Sequence, residues 1–166
     1  MKARLWGRAV MAAGAMVAVF AAQAGAQCAP DRVDLRGPWG QARFSVEVVD
    51  TPATRAQGLM NRESLPRSAG MLFIYEAPTN ASFWMRNTLI PLDMLFVEPD
   101  GEITHIHHNA RPLDETPIPG GDNVLMVLEI NGGLSQTFGI ETGSTLRHPR
   151  LDQDEALWPC PPAASE

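Results

Sequence analysis

The sequence has few cysteines and almost no lysine. Two cysteines in 166 residues are too few for a small domain held together mainly by disulfides. Lys2 is the only lysine, and 13 basic residues against 19 acidic ones give a formal net charge of −6. Nucleic acid and anionic lipid attract basic surfaces rather than acidic ones. We therefore expect no nucleic-acid partner.

Motifs for nucleophilic or phosphate chemistry are also lacking. The sequence contains no Gly-x-Ser-x-Gly elbow, no phosphate-binding glycine loop and no pair of cysteines at zinc-ligand spacing. This weighs against a serine or cysteine hydrolase and leaves carboxylate chemistry open. We predict no cofactor.

The first 26 residues have the pattern of a secretory signal peptide. Lys2, Arg4 and Arg8 precede an uncharged stretch over residues 9–22, and Ala-Gly-Ala at 24–26 supplies small residues for cleavage. About 14 apolar residues are too few to span a bilayer, which needs roughly 20. We predict that residues 1–26 are cleaved and that the mature chain is periplasmic or secreted, with no stable membrane insertion.

The two cysteines lie near the two ends of the mature chain, at Cys28 and Cys160. In an oxidising compartment the natural pairing is one disulfide that joins the ends. The alternative is two free thiols on terminal segments.

Apolar runs and turn signals predict a single, mainly β domain. Alternation over residues 42–49 predicts a half-buried strand, and the run 92–97 is typical of a strand that is buried on both faces. Thr51-Pro52 predicts the start of a short helix that fades at Asn61, and a second short helix is expected near residues 134–138. Further strands are expected at 70–75, 82–86, 102–109, 124–130 and 143–147, with a loop over 110–121.

These elements predict a sandwich or a partly closed barrel with two short helices. We expect residues 27–41 to form an N-terminal extension, residues 42–148 the single β domain, and residues 149–166 an acidic, proline-containing tail.

Two carboxylates interrupt otherwise apolar strands. Asp93 lies at the start of one run and Glu129 near the end of another. A buried, unpaired carboxylate is costly, so we expect each to be paired with arginine, protonated or placed at a cleft. The available cations are Arg55, Arg62 and Arg86. The pair could bind a ligand or act as acid and base, or it could be purely structural, either as an ion network or as strand-end carboxylates that accept from backbone donors.

A second polar group follows the aromatic pair Phe83-Trp84. On a strand, Trp84 and Arg86 would point to one face, where the guanidinium could stack on the indole and bind an anion. Asn87 and Thr88 add an amide and a hydroxyl. The group is typical of sites for small polar ligands. Alternatively, Arg86 pairs with Asp93 and Asn87 caps a turn.

Histidines and methionines raise the question of a metal. His105 and His107 would share one face of a strand while His108 points away, and several methionines could complete a copper site. No carboxylate or cysteine lies at ligand spacing beside them. We therefore predict no metal site.

Five motifs occur in order along the chain: Arg-Ala-Gln-Gly-Leu-Met-Asn-Arg at 55–62, Gly-Met-Leu-Phe at 70–73, Phe-Trp-Met-Arg-Asn-Thr at 83–88, Ile-Pro-Leu-Asp at 90–93 and Leu-Glu at 128–129. Together they resemble domain-of-unknown-function family 192, over about residues 42–147. The resemblance implies a compact, mostly β fold, often exported, and brings no agreed reaction, substrate or cofactor. Its signature polar positions fall on Arg55, Arg62, Trp84, Arg86, Asn87, Thr88, Asp93 and Glu129. Arg86 replaces the lysine that is common in the family.

The residues favour a periplasmic binding or accessory module for a small polar ligand or a cell-envelope partner. One alternative is an enzyme that uses Asp93 and Glu129 on glycan or cell-wall material, which would need the two carboxyl groups roughly 5–9 Å apart. The other is a structural polar cluster with the function elsewhere. The sequence predicts no particular oligomeric state.

Overall fold

The computed structural model describes residues 27–162 and contains one curled sheet with two short helices. In the sheet the strands lie in the order β5-β4-β6-β3-β2-β1-β7. The elements are β1 (Arg32–Gly37), β2 (Gly40–Val49), α1 (Pro52–Gln57), β3 (Ala69–Phe83), β4 (Leu92–Val97), β5 (Ile103–Ala110), β6 (Ile118–Asn131), α2 (Leu134–Phe138) and β7 (Thr145–Arg147).

The sheet curls far enough for its two edges to meet. β2 and β3 are parallel, because α1 carries the chain across between them, and the other neighbouring strands are antiparallel. At the closing seam Glu102 forms a bridge with Thr145, and the Ile103 N–H donates to the Ser144 carbonyl at 2.8 Å. The mainly β prediction is confirmed, and of the two expected architectures the partly closed barrel is the one observed.

Apolar side chains fill both faces of the middle strands. The concave face collects residues from all seven strands, among them Val33, Phe44, Leu72, Leu95, Ile106, Leu128 and Leu146. On the convex face, a second core forms over β3, β4 and β6; it includes Leu59, Met71, Phe73, Met85, Met94, Phe96 and Val127. β4 is buried along its whole length, as its unbroken apolar run predicts.

The N-terminal extension expected over residues 27–41 is wrong in part. β1 (Arg32–Gly37) lies inside the sheet and pairs with both β2 and β7. Val33 and Leu35 are completely buried, while Asp34 between them binds Arg43 and Arg147. Charged residues alternate with Val33 and Leu35 in this short strand, so its sequence resembles a polar loop. The folded unit therefore begins about ten residues before the predicted boundary.

The predicted strand 70–75 and the first two residues of the predicted strand 82–86 belong to one longer, bulged strand. β3 runs from Ala69 to Phe83, with register shifts against β6 between Ile74 and Ser82. β6 likewise begins at Ile118, inside the expected loop 110–121, because residues 118–121 pair with the far end of β3. Trp84 and Arg86 follow the end of β3, so the prediction that they alternate along a strand is wrong.

The C-terminal segment, residues 149–162, is packed on the barrel. Leu151 is buried against the concave core, and Trp158 lies between the guanidinium groups of Arg36 and Arg147, whose carbons are 4.5 and 4.2 Å from its ring centre. The predicted disulfide between Cys28 and Cys160 is confirmed, with a Cα–Cα distance of 5.7 Å. The acidic segment is therefore held at its end.

Two terminal stretches lie outside the described residues. They are residues 1–26, which the sequence predicts to be a signal peptide, and residues 163–166. Within residues 27–162, no helix has the length and apolar character needed to cross a membrane.

Candidate functional site

A pocket of about 320 Å³ opens on the convex side of the sheet. It lies between α1 with the turn that follows it, the strands β3 and β6, and the segment directly after β3. Its volume is at the lower end of the range for small-molecule sites, about 300–1,000 Å³. Its lining includes the side chains of Arg55, Tyr75, Phe83, Trp84, Thr88 and Glu129. We call it the Glu129 pocket.

Glu129 brings a carboxyl group into apolar surroundings. Its neighbours across the sheet are Met71 on β3 and Met94 on β4, and the residue is only 5% exposed. No hydrogen bond or ion pair to its carboxyl group occurs within residues 27–162. Neither carboxyl oxygen is sealed from solvent, since the side chain borders the pocket. Burial raises the pKa of Glu129 to about 8, so the group holds a proton at neutral pH.

Arg55 is positioned by a well-defined helix start. Thr51 caps α1, and its hydroxyl and that of Thr54 form a reciprocal capping box. Arg55 extends from this helix toward β3, where Nη1 donates to the Asp50 and Ile74 carbonyls at 2.6 and 2.8 Å. The Nε and Nη2 donors make no hydrogen bond within the described chain and are not enclosed. Arg55 thus keeps donors available at the pocket.

Tyr75 lies in the same pocket as Arg55 and Glu129. The Arg55 guanidinium carbon lies 4.9 Å from the Tyr75 ring centre. Burial raises the pKa of Tyr75, while Arg55 lowers it and Glu129 raises it, so both groups act on this hydroxyl. Arg55 and Glu129 nevertheless form no ion pair with each other. A guanidinium and a carboxyl group therefore face one pocket without forming an ion pair.

The segment after β3 forms the rim of the pocket through a tight turn. Trp84 is 46% exposed there, while Thr88 is buried, and its N–H donates to the Met85 carbonyl at 3.1 Å. Asn87 has a φ of 53°, and its carbonyl accepts from the Asn61 N–H at 2.8 Å, which ties the rim to the turn after α1. Asparagine tolerates this left-handed conformation. Asn87 therefore shapes the rim without lining the pocket.

Two predicted arginines lie outside the pocket. α1 ends at Gln57, so the helical spacing that would have placed Arg62 beside Arg55 does not occur. Arg62 instead forms a two-pronged ion pair with Glu47 at the surface, with Nη2 2.6 Å from Oε2. Arg86 is exposed, and its guanidinium carbon lies 5.6 Å from the Trp84 ring centre. Neither arginine contacts Asp93 or Glu129.

Asp93 has a structural environment of its own. It is completely buried and accepts hydrogen bonds from the backbone N–H groups of Asn109, Gly133 and Ser135, at 2.7 to 2.9 Å, and from the Ser135 hydroxyl at 2.6 Å. In the sheet Asp93 is opposite Ile130, one residue out of phase with Glu129, so the two carboxylates point to opposite faces.

The hypothesis that arginines neutralise both acids is therefore wrong. Backbone donors satisfy Asp93, and Glu129 is protonated rather than paired. The arrangement does not fit a two-carboxylate enzyme. The carboxyl groups of such an enzyme must flank one substrate bond, whereas Asp93 and Glu129 point to opposite faces of the sheet.

The three histidines have different surroundings, and His107 lies opposite Met94 across β4 and β5. His105 packs on Phe96 with ring centres 5.5 Å apart, and His108 Nδ1 lies 2.7 Å from the Ser135 hydroxyl. Burial lowers the pKa of His107. Throughout residues 27–162, no three His, Cys, Asp or Glu side chains are grouped closely enough to hold a metal ion.

Of the predicted polar residues, the pocket brings together Arg55, Trp84, Thr88 and Glu129. Sequence reasoning missed Tyr75, Ser82 and Phe83 as lining residues. Tyr75 ends an apolar run and resembled an ordinary core residue, and the bulges of β3 that bring Ser82 and Phe83 alongside it leave no clear local signal. Gly58, at φ 48°, also borders the pocket; an added Cβ would lie 3.1 Å from the Phe73 ring.

The residues that line the pocket lie within a region that matches a known protein family. The family model DUF192, described as Uncharacterized ACR, matches residues 35–148. The chain belongs to the DUF192 family. A search of curated proteins found no match.

Two crystal structures show similar folds. A protein of unknown function from Novosphingobium aromaticivorans DSM 12444 is 45% identical, with a TM-score of 0.68; the match covers 69% of this chain and 82% of that one. A proposed transcription regulator from Sinorhizobium meliloti 1021 is 39% identical, also with a TM-score of 0.68, over 72% of this chain and 94% of that one. The similarity thus spans most of each of these two structures.

Proposed function

We propose that this DUF192 protein is an exported binding module that holds a small polar ligand in the Glu129 pocket. The observation that carries the proposal is a buried carboxyl group that borders a small open pocket and has no partner within the described residues. A buried polar group without a hydrogen bond costs free energy, and a ligand that supplies the missing partner recovers that cost on binding.

The rim and walls of the pocket support ligand binding. Trp84 presents an exposed indole, and the neighbouring Phe83 and Tyr75 add aromatic surface. Ligand sites combine such apolar walls with a few convergent polar groups. Glu129 and Arg55 are those groups here.

An exported location is supported by two independent features. The first 26 residues have the signal-peptide pattern, and the disulfide between Cys28 and Cys160 is of the kind that persists in oxidising compartments. The acidic net charge of −6 does not favour nucleic-acid binding, so we do not extend the regulator description of the Sinorhizobium protein to this chain.

The test is a ligand screen with purified residues 27–166. Sugars, amino acids, short peptides and acidic metabolites are screened by thermal shift, and hits are titrated by calorimetry. The variant Glu129→Gln removes the ionisable group, and Glu141→Gln, an exposed glutamate outside the pocket, is the matched control. We expect a hit whose affinity falls by about 10- to 100-fold in Glu129→Gln and stays unchanged in the control. A screen without hits, or a hit that binds both variants equally, would overturn the proposal.

A further inference from the structure

We propose that the ligand of the Glu129 pocket is a small zwitterion whose ammonium group binds Glu129 and whose carboxylate binds Arg55. The inference rests on the proposed function and names its ligand class. Its basis is the geometry of the pocket, in which an acid and a guanidinium face the same volume without forming an ion pair with each other.

Arg55 is suited to bind an anionic group. Its Nη1 is fixed by the Asp50 and Ile74 carbonyls, and its guanidinium plane rests near the Tyr75 ring. These contacts hold the side chain in place while Nε and Nη2 keep their hydrogens for another acceptor. Arginine binds carboxylates through such paired donors, and a fixed guanidinium loses little conformational entropy on binding. No carboxylate of the described chain occupies this position.

Glu129 is suited to bind a cationic group. Its side chain has methionines on both neighbouring strands, and no arginine or backbone donor from residues 27–162 reaches its carboxyl group. The other ionisable groups that border the pocket are Arg55 on α1 and Tyr75 on β3; α2 and the rim segment contribute none. An ammonium group would pair with the ionised carboxylate in surroundings of low polarity, where such charge-assisted hydrogen bonds are strong.

A ligand with only a positive or only a negative charge matches the pocket less well than a zwitterion does. A simple cation would pair with Glu129 and be repelled by Arg55, and a simple anion would meet the reverse situation. A zwitterion satisfies both groups and keeps the occupied site neutral. A volume of about 320 Å³ accommodates a molecule of amino-acid size, and the aromatic walls from Phe83 and Trp84 can contact its apolar part.

The chemical test compares free L-amino acids with two kinds of derivative by titration calorimetry. N-acetylation removes the ammonium charge, and amidation removes the carboxylate. We expect at least one free amino acid to bind, with each derivative about 10- to 100-fold weaker. If another member of the wider screen binds in a Glu129-dependent way and free amino acids do not, the zwitterion assignment is wrong and the binding module stands. If nothing binds, both proposals fail.

Variants of the two charged residues assign each end of the ligand. Glu129→Gln should bind the free and N-acetylated amino acids with equal affinity. Arg55→Lys should bind the free amino acid more weakly than the wild type does, and amidation of the ligand should then lower the affinity by a smaller factor. Arg62→Gln, which removes an arginine outside the pocket, is the control and should bind as the wild type does. Circular dichroism checks that each variant is folded. Unchanged discrimination in both pocket variants would overturn the assignment.

Proton release gives an independent readout of ammonium binding at Glu129. Below pH 8 the empty pocket holds a protonated carboxyl group, and an ammonium partner favours the ionised form. Titrations at pH 7 in buffers of different ionisation enthalpy should therefore show release of nearly one proton per ligand bound. Binding without proton release in the wild type, or equal release in Glu129→Gln, would contradict an ammonium at this site.

Discussion

Glu129 shows how a single buried residue can lower the stability of the fold. Burial among methionines raises its pKa to about 8, against an ordinary value of 4.5. Between these two pH values the folded protein keeps the proton and the unfolded chain releases it. The contribution of Glu129 to stability therefore falls as the pH rises from about 4.5 to about 8.

We expect the Glu129→Gln variant to be more stable than the wild type at neutral and alkaline pH. In the wild type the unfolded chain is stabilised at neutral pH because its Glu129 ionises, whereas the neutral amide does not titrate in either state. The expected gain in the free energy of unfolding is on the order of 3 kcal/mol at pH 7 and largely disappears at pH 4.5. Urea unfolding of both proteins and of Glu141→Gln at pH 4.5, 7 and 8 measures the difference. A wild-type protein that is the more stable of the two at pH 8 would show that Glu129 is ionised and stabilised in the folded state.

The sequence indicated the burial of Asp93 and Glu129, because each lies in an apolar run. It left pairing with arginine, protonation and the capping of backbone donors open, and the structure selects backbone donors for Asp93 and protonation for Glu129. The donors to Asp93 come from Asn109, Gly133 and Ser135, and two of these belong to backbone whose position depends on α2. A one-residue phase difference between β4 and β6 then separates the two acids, and such a register follows from tertiary pairing rather than local pattern.

At the scale of elements, Asp93 joins β4 to β5 and α2. Gly133 and Ser135 lie in the first turn of α2, where backbone N–H groups have no partner inside the helix. The carboxylate of Asp93 accepts from both, and its negative charge suits a helix N-terminus. The Asn109 N–H adds a third contact at the end of β5. One side chain thus fixes the relative positions of three elements.

We expect Asp93→Asn to lower the free energy of unfolding by about 3 kcal/mol or more. An amide has one acceptor oxygen, and its NH₂ group would face the donors that Asp93 now satisfies, which leaves buried polar groups unpaired. Urea unfolding gives the value, with the exposed Asp122→Asn as the control. A loss below 1 kcal/mol would mean that water or rearrangement replaces these hydrogen bonds.

Elements with strong local signals were predicted best. The Thr51 cap with Pro52 correctly located the start of α1, and the unbroken run of β4 correctly indicated burial on both faces. β1 and the early part of β6 were missed, because their pairing partners rather than their composition make them strands. The pocket was only partly predicted for the same reason, since its walls come from bulged ends of β3.

For the whole molecule, the disulfide joins segments 132 residues apart in sequence. Such a long loop lowers the entropy of the unfolded chain most strongly. The sequence predicted this pairing because it contains only two cysteines. The packing of Leu151 and Trp158 on the barrel shows that the C-terminal segment is held by contacts as well as by the bond.

We expect the double variant Cys28→Ser/Cys160→Ser to fold and to be less stable by up to about 5 kcal/mol, the value that the loop-entropy relation gives for a separation of 132 residues. Thermal and urea unfolding measure the loss, and the wild type in reductant should match the variant. Thiol labelling of the native protein without reductant should modify neither cysteine. A melting temperature equal to that of the oxidised wild type would show that the packed segment alone constrains the ends.

The seam between residues 101–103 and 144–146 protects the protein from association through its backbone. Open strand edges recruit neighbouring chains into intermolecular sheets. Here the bridge from Glu102 to Thr145 occupies the start of β5 and much of the short β7. The rest of β5 displays His105, His107 and His108, polar side chains that are poorly suited to stacking against a second copy. Curling the sheet onto itself thus lowers the risk of aggregation at high local concentration.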